Sequence, residues 1–431
     1  MHVLFVIDTW GLIGGTERHA QVCVPALLER GHRVTILCRE DQEPGFAKAD
    51  VIELPFLEGQ WLSGSERQEL STRVRNVAPD VVFLSALRNI DGAEELAEIA
   101  PVVRYVHDHT LFCPGLNKFT EDGHTCKEPM GIKCLQRYWL DAGCVCFKKD
   151  RHKNTFLDPL RDLRIKEREL EVAKASSCVL TNSYYMRDEL LKVGFHPEIT
   201  SVLYIFSGSN TELQPAGALP EKTAAFLESS HDPLIFTPAR LTLPDKGVDY
   251  LLTMIGLLKN RFRAVVAGTG PAESWLREKA VREGVGDRVH FAGWMSSPQI
   301  ETLYSHARVV VCPSIWDEPF GLVGIEAMAH RKPVCAFDVG GIPEWLEHGH
   351  NGYLLAARDT GGMASAVDRI LADEQLAEEL GQNGYEFAAE RFPRSRHIDE
   401  FDTHLMRAAG IPTTPIPTTS IDEDDFGRVA A

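Results

Sequence analysis

Positive charge is in short supply in this chain: 45 lysines and arginines stand against 62 aspartates and glutamates, a formal net charge of −17 over 431 residues. A protein that gripped nucleic acid through its phosphates would need the opposite balance, which excludes a general nucleic-acid binder. Long apolar runs are missing too, and no stretch reaches the length that crosses a bilayer. The opening apolar run has no basic lead and is broken by Asp8, so a secretion signal is not expected. No repeat of fixed period is visible. What these absences leave is an acidic globular protein, expected in the cytoplasm, with an ordinary apolar fraction of 44%.

At this length one core rarely suffices, and two domains of roughly 200 residues are expected. Strand and helix patterns alternate through both halves, which predicts an α/β fold of two doubly wound, Rossmann-like parallel sheets. In the first half, strands are expected near Val3, Val34, Val81, Val103, Val179 and Val202. The domain reading is 1–206 for the N-terminal unit, 207–230 for a polar, Gly- and Pro-containing link, and 231–391 for the second unit. A last helix is expected over 392–410, and the Pro- and Thr-rich, then acidic, tail 411–431 reads as disordered.

The most informative segment runs from Glu318 to Glu326, Glu-Pro-Phe-Gly-Leu-Val-Gly-Ile-Glu, just after the apolar run Arg308–Pro313. Strand, tight loop and helix start follow one another here, a geometry that aims free backbone N–H groups at an anion. Glu318 is placed at the strand's carboxyl end and Glu326 about one turn into the helix. One carboxylate can bind a sugar's hydroxyls and the other the vicinal hydroxyls of a ribose, with a pyrophosphate between them at Phe320, Gly321 and Leu322. Upstream, Phe236-Thr-Pro-Ala-Arg240 and Asp245-Lys246-Gly247 bring two cations to the same side, a planar fork and a compact charge for phosphate oxygens. Strand-to-glycine turns recur at Val265–Pro271, with Gly268, at Val289–Trp294, and at Pro333–Glu344.

These motifs, spanning about Pro233 to Leu355, resemble in content and order a retaining glycosyltransferase of family 4 with GT-B architecture, in which two Rossmann-like domains face each other across a cleft. The resemblance implies a hexosyltransferase-type enzyme whose N-terminal domain lies on the acceptor side and whose C-terminal domain holds the donor. It further implies that the segment 392–410 crosses back to the N-terminal domain. By the same resemblance Gly14 and Gly15, in a glycine loop entering a helix, lie close to the donor phosphates, and His107, delivered by the strand Pro101–Val106, faces the donor sugar. His109 reads as a packing residue. Gly268 and Trp294 join Phe320, Gly321, Leu322 and Glu326 as donor-binding positions, with base contacts expected near Phe291 to Met295.

The expected reaction moves a sugar from a nucleoside-diphosphate sugar to a hydroxyl on a glycan, lipid or small metabolite, with retention. Arg240, Lys246 and the helix start at Gly321 would stabilise the leaving diphosphate, Glu318 would orient the sugar, and His107 would sit near the reaction centre. Domain closure would exclude water. A catalytic metal is not expected, since the two cations occupy its place. Two rival readings are a nucleotide-sugar epimerase of the same architecture and a non-catalytic sugar-nucleotide-binding subunit.

Five of the ten cysteines, Cys113, Cys126, Cys134, Cys144 and Cys146, fall between 113 and 146, a Cys-rich insertion in the N-terminal domain. Two readings stay open: a structural zinc or iron–sulfur site on Cys113, Cys126, Cys134 and Cys144, with Cys146 as substitute, or ordinary reduced thiols. Between Phe147 and Lys174 basic residues including Arg161, Arg164, Lys166 and Arg168 could meet anionic lipid headgroups. The interleaved Glu167, Glu169 and Glu171 favour a solvated helical face instead.

Overall fold

The computed structural model of the protein describes residues 1–11, 14–43, 48–115, 117–120, 123–137, 139, 158–206 and 217–413. Two compact units account for them, and the chain does not divide between them at a single point. Residues 119–127 cluster with the second unit, and the segment from Ser395 onward clusters with the first.

The first unit is built on a parallel seven-stranded sheet of order β3-β2-β1-β4-β5-β6-β7. Its strands are β1 (His2–Trp10), β2 (Arg33–Asp41), β3 (Asp50–Glu53), β4 (Val81–Leu84), β5 (Val102–Val106), β6 (Cys178–Thr181) and β7 (Thr200–Val202). Central β1 reads as an unbroken apolar run because both of its faces are covered. Val3, Phe5 and Ile7 pack with Ala20, Val24 and Leu27 of the helix Gly15–Glu29 and with Ile398, Phe401 and Leu405 of the helix Arg394–Ala408. Leu4 and Val6 face the opposite way, onto Leu70 and Val74 of the helix Gly64–Val77 and Leu96 of the helix Ile90–Ile99. Ser63 and Glu66 close a capping box at the start of Gly64–Val77, the local chemistry that begins that helix there.

The second unit carries a six-stranded parallel sheet of order β10-β9-β8-β11-β12-β13. Its strands are β8 (Leu234–Pro238), β9 (Arg263–Ala267), β10 (Val289–Gly293), β11 (Ala307–Cys312), β12 (Val334–Phe337) and β13 (Gly352–Leu355). In this sheet β8 and β11 are neighbours, with Val310 opposite Phe236, yet the chain leaves β8 towards β9 and leaves β11 towards β12. That reversal is a topological switch point, the place in open α/β sheets where the loops part and leave a crevice at the strands' carboxyl ends. In the first unit the same reversal separates β1 from β4.

The α/β doubly wound reading therefore holds in both units. Two four-residue edge strands, β3 and β13, were not anticipated, because runs so short carry too little periodicity to register. Within the stretch read as a link, residues Glu221–Glu228 form a helix whose Thr223 is buried and lies 3.0 Å from His290 Nε2 beside β10.

Candidate active site

Every loop that follows β8, β11 and β12 at the switch of the second sheet is tied to its neighbour by backbone contacts. Ile315 N and Trp316 N donate to the Asp245 carbonyl at 3.1 and 3.2 Å, and Gly341 N donates to the Glu318 carbonyl at 2.8 Å. Approach this close requires glycine at two points. A Cβ on Gly247, whose φ is +61°, would sit 1.8 Å from the Pro313 carbonyl oxygen, and one on Gly340, at φ +57°, would sit 2.2 Å from that of Glu318. Beneath the loops, Trp345 is fully buried and donates its indole N–H to the Phe320 carbonyl at 2.5 Å. The segment from Glu318 to Gly321 thus lies on a rigid floor.

Onto that floor the fold brings Lys246 and Glu318 together, Nζ to Oε1 at 2.5 Å, each side chain 15% exposed. The ammonium also stands 4.6 Å from the centre of the Trp316 ring, a cation–π contact that fixes it laterally. So shielded a pair is worth more than a surface salt bridge, and deleting either member strands the other charge in poor solvation. Below it, burial and the nearby Glu318 carboxylate push the Cys312 thiol well above its ordinary range, so this cysteine is an inert packing group.

The helix Leu322–Ala329 starts at Gly321, which adopts a left-handed φ of +86° and offers no side chain to cap the first turn. Its leading N–H groups are therefore available to an anion. Glu326 lies further along the helix, and its Oε2 accepts from the Tyr304 hydroxyl at 3.1 Å. Arg240, at the end of the segment after β8, is exposed and has no ion-pair partner among the described residues. Gly268, after β9, packs its backbone on the Ala239 carbonyl, where a Cβ would come within 2.0 Å. Trp294 follows β10 with 73% of its surface exposed, an apolar face left open at the same edge of the sheet.

Three predicted site residues belong to the first unit. Gly14 caps the helix Gly15–Glu29 after β1, next to that sheet's switch point. His107 follows β5; its Nε2 lies 3.2 Å from Ser85 Oγ, its carbonyl accepts from Asn182 Nδ2 at 3.1 Å, and its ring lies 4.5 Å from that of Tyr105. Burial lowers its pKa to about 4 against a weaker opposing pull from Asp108, so the imidazole is neutral near pH 7. His109 is fully buried, with Nε2 2.9 Å from the Tyr185 hydroxyl, a packing role.

Both readings of the cysteine-rich insertion stay open, since part of it lies outside the described residues. Among the described residues, the ligand-bearing side chains that gather in a group of three are His19, Cys23 and His397; Cys113, Cys126 and Cys134 are not part of it. Cys144 and Cys146 lie outside the described residues. Sequence reasoning also missed Trp316, Tyr304 and Trp345, which fix Lys246, Glu326 and the Glu318 loop. Trp316 alone left a signal, its place two residues before Glu318. Two members of the basic run are paired: Arg168 reaches Asp91 and Glu94 at 2.9 Å, and Lys166 reaches Glu169 at 2.7 Å. Among the described residues no helix is long and apolar enough to cross a membrane.

Two family models match the chain in succession: Glycosyltransferase Family 4 over residues 13–205 and Glycosyl transferases group 1 over residues 220–387. An uncharacterized glycosyltransferase of Methanocaldococcus jannaschii is 31% identical over 223 residues, 50% of this chain and 56% of that protein. The alpha-D-kanosaminyltransferase of Streptomyces kanamyceticus is 29% identical over 259 residues, 58% of this chain and 65% of that protein. The chain thus spans less than two thirds of the length of these relatives. Among solved structures, Anabaena HepE in complex with UDP and glucose superimposes with a TM-score of 0.68 at 19% identity, over 94% of this chain and 100% of that one, a likeness of fold.

Proposed function

Because the chain belongs to the family 4-type glycosyltransferases of GT-B fold, we propose that it transfers a glycosyl unit from a nucleoside-diphosphate sugar to an acceptor hydroxyl with retention at the anomeric carbon. The observation that carries this reading is the Lys246–Glu318 pair, held 2.5 Å apart beside the uncapped start of the helix Leu322–Ala329. A diphosphate leaving group seated at that helix start gains the N–H groups of the first turn and the macrodipole. Lys246 supplies the nearest full charge, and Arg240, exposed and unpaired, supplies a second. Both stabilise negative charge that grows as the glycosidic bond to phosphate breaks.

Glu318 then orients the sugar, its second oxygen free to accept from a hydroxyl while the first stays on Lys246. Glu326, positioned by Tyr304, takes the ribose hydroxyls. Gly268 keeps the loop after β9 close to Arg240, and Trp294 offers its exposed face to the base. Gly14 and Gly15 lie close to the phosphates, and His107, neutral at physiological pH, hydrogen-bonds the sugar or the diphosphate without adding charge. A donor phosphate oxygen takes the acceptor's proton on the reacting face, a route that needs no protein nucleophile.

The test has two parts. Thermal-shift screening against a panel of nucleotide sugars should find a donor that raises Tm, since a ligand bound to the native state alone stabilises it. With that donor, Lys246→Ala should lower kcat ~100-fold or more while donor Kd changes far less. Equal loss in both would make Lys246 a binding residue only; wild-type protein that binds the donor and releases no nucleoside diphosphate in the presence of acceptors would sink the transferase reading.

A further inference from the structure

In the first unit, on side chains given no role above, three ligand atoms converge. His19 and Cys23 stand one turn apart on the helix Gly15–Glu29, so both side chains leave the same face. That face packs on the helix Arg394–Ala408, which brings His397 to them from the far end of the chain. His19 Nε2 lies 2.8 Å from His397 Nε2, and Cys23 Sγ lies 3.3 Å from the first and 3.9 Å from the second. All three residues are buried, at 2%, 0% and 3% exposure, among Tyr105 and Phe401.

The hydrogen bond at Nδ1 fixes the tautomer of His397. Its Nδ1 is 2.7 Å from the Tyr204 carbonyl oxygen, which can only accept, so Nδ1 carries the proton and the Nε2 lone pair points at His19 and Cys23. A backbone carbonyl holding the outer nitrogen of a histidine is the usual support for a metal-bound ring. Ligand atoms ~2.0–2.3 Å from a tetrahedral metal lie roughly 3.3–3.8 Å from one another, and the three observed separations come within about half an ångström of that range.

We propose that His19 Nε2, Cys23 Sγ and His397 Nε2 bind one soft d¹⁰ cation, zinc(II) or copper(I), which staples the first helix of the chain to its C-terminal helix. Two imidazoles and one thiolate form a donor set that selects such ions over magnesium or calcium. On binding, the Cys23 thiol gives its proton to solvent and its sulfur electron pair to the metal; the imidazoles give lone pairs, and nothing is oxidised or reduced. The bond joins positions 378 residues apart, counting from 19 to 397. The His19 ring lies 6.0 Å from that of His107.

Full-length protein, stripped with chelator and reconstituted under reducing conditions with zinc(II) or, in a parallel arm, copper(I), decides it. Wild type should retain one equivalent of one of these ions by mass spectrometry, and so should the Cys126→Ser/Cys134→Ser/Cys144→Ser/Cys146→Ser variant. Cys23→Ala and His397→Gln should lose it. In wild type alone, metal at ~100 times its Kd should raise Tm by at least ~5 °C, and cobalt(II) should give a thiolate charge-transfer band absent from Cys23→Ala. If a variant fails to fold, the wild-type Tm shift and cobalt band decide. Wild type that holds no metal and shows no shift, or folded Cys23→Ala and His397→Gln that keep a full equivalent, overturns the site and leaves a hydrogen-bonded His–His–Cys cluster.

Discussion

A single hydroxyl connects two turns of the second unit. Tyr304 donates to Glu326 Oε2 at 3.1 Å and lies 3.3 Å from the Val323 carbonyl, while its ring is fully buried against Phe236. A hydrogen bond to a charged group contributes about 1.5–3 kcal/mol, so Tyr304→Phe should raise the donor KM roughly tenfold or more with kcat nearly unchanged. A kcat that falls by the same factor would mean Glu326 acts in the transition state and not on a resting ribose. From the sequence, Glu326 was visible because helix start and acidic spacing are local signals, and Arg240, Lys246 and Glu318 were visible for the same reason. Tyr304 was not: its phenol reaches Glu326 across 22 residues of chain, and a tyrosine in an amphipathic helix looks like any other core residue.

At the scale of elements, the helix Arg394–Ala408 shows what a segment can do far from its place in the chain. Ile398, Phe401 and Leu405 are each at most 4% exposed and sit on the same face of the first sheet as Val3, Phe5 and Ile7. The ring of Phe401 meets that of Phe83 edge-on at 4.6 Å. Phe401→Ala should therefore cost about 3–5 kcal/mol, the range for truncating a buried aromatic, and denaturant unfolding should show it as a lower midpoint with the slope preserved. An unchanged midpoint would place the helix outside the core. The expectation that this helix returns to the first unit came from the family resemblance alone, because periodicity says which face is apolar and never what covers it. The edge strands β3 and β13 were lost for the converse reason, since their partners, and not their own four residues, make them strands.

Across the whole molecule the titratable burden is uneven. His107, His109 and His404 all lie in the first unit, and burial lowers each to about 4 from an unfolded value near 6.5. Over that window the unfolded chain binds more protons than the folded one. The stability these groups contribute is complete above about pH 6.5 and is lost as pH falls towards 4. Unfolding of the first unit should thus take up at least about three protons near pH 5, with His19 and His397, whose pKa burial also lowers, adding to them, and His109→Gln should flatten the dependence of the unfolding midpoint on pH. A midpoint indifferent to pH between 7 and 4 would contradict this burial.

The sequence by itself determined the class of sheet, the order of the donor-site motifs and the chemistry of their side chains. All of these are written in stretches of a few to a dozen residues, where propensity, periodicity and turn chemistry act. Only the tertiary structure decided that Lys246 pairs with Glu318, that Tyr304 holds Glu326, and that His19, Cys23 and His397 gather into a compact ligand cluster among the described residues. Those pairings join residues tens to hundreds of positions apart. Packing of distant faces sets them, and no local rule carries that information.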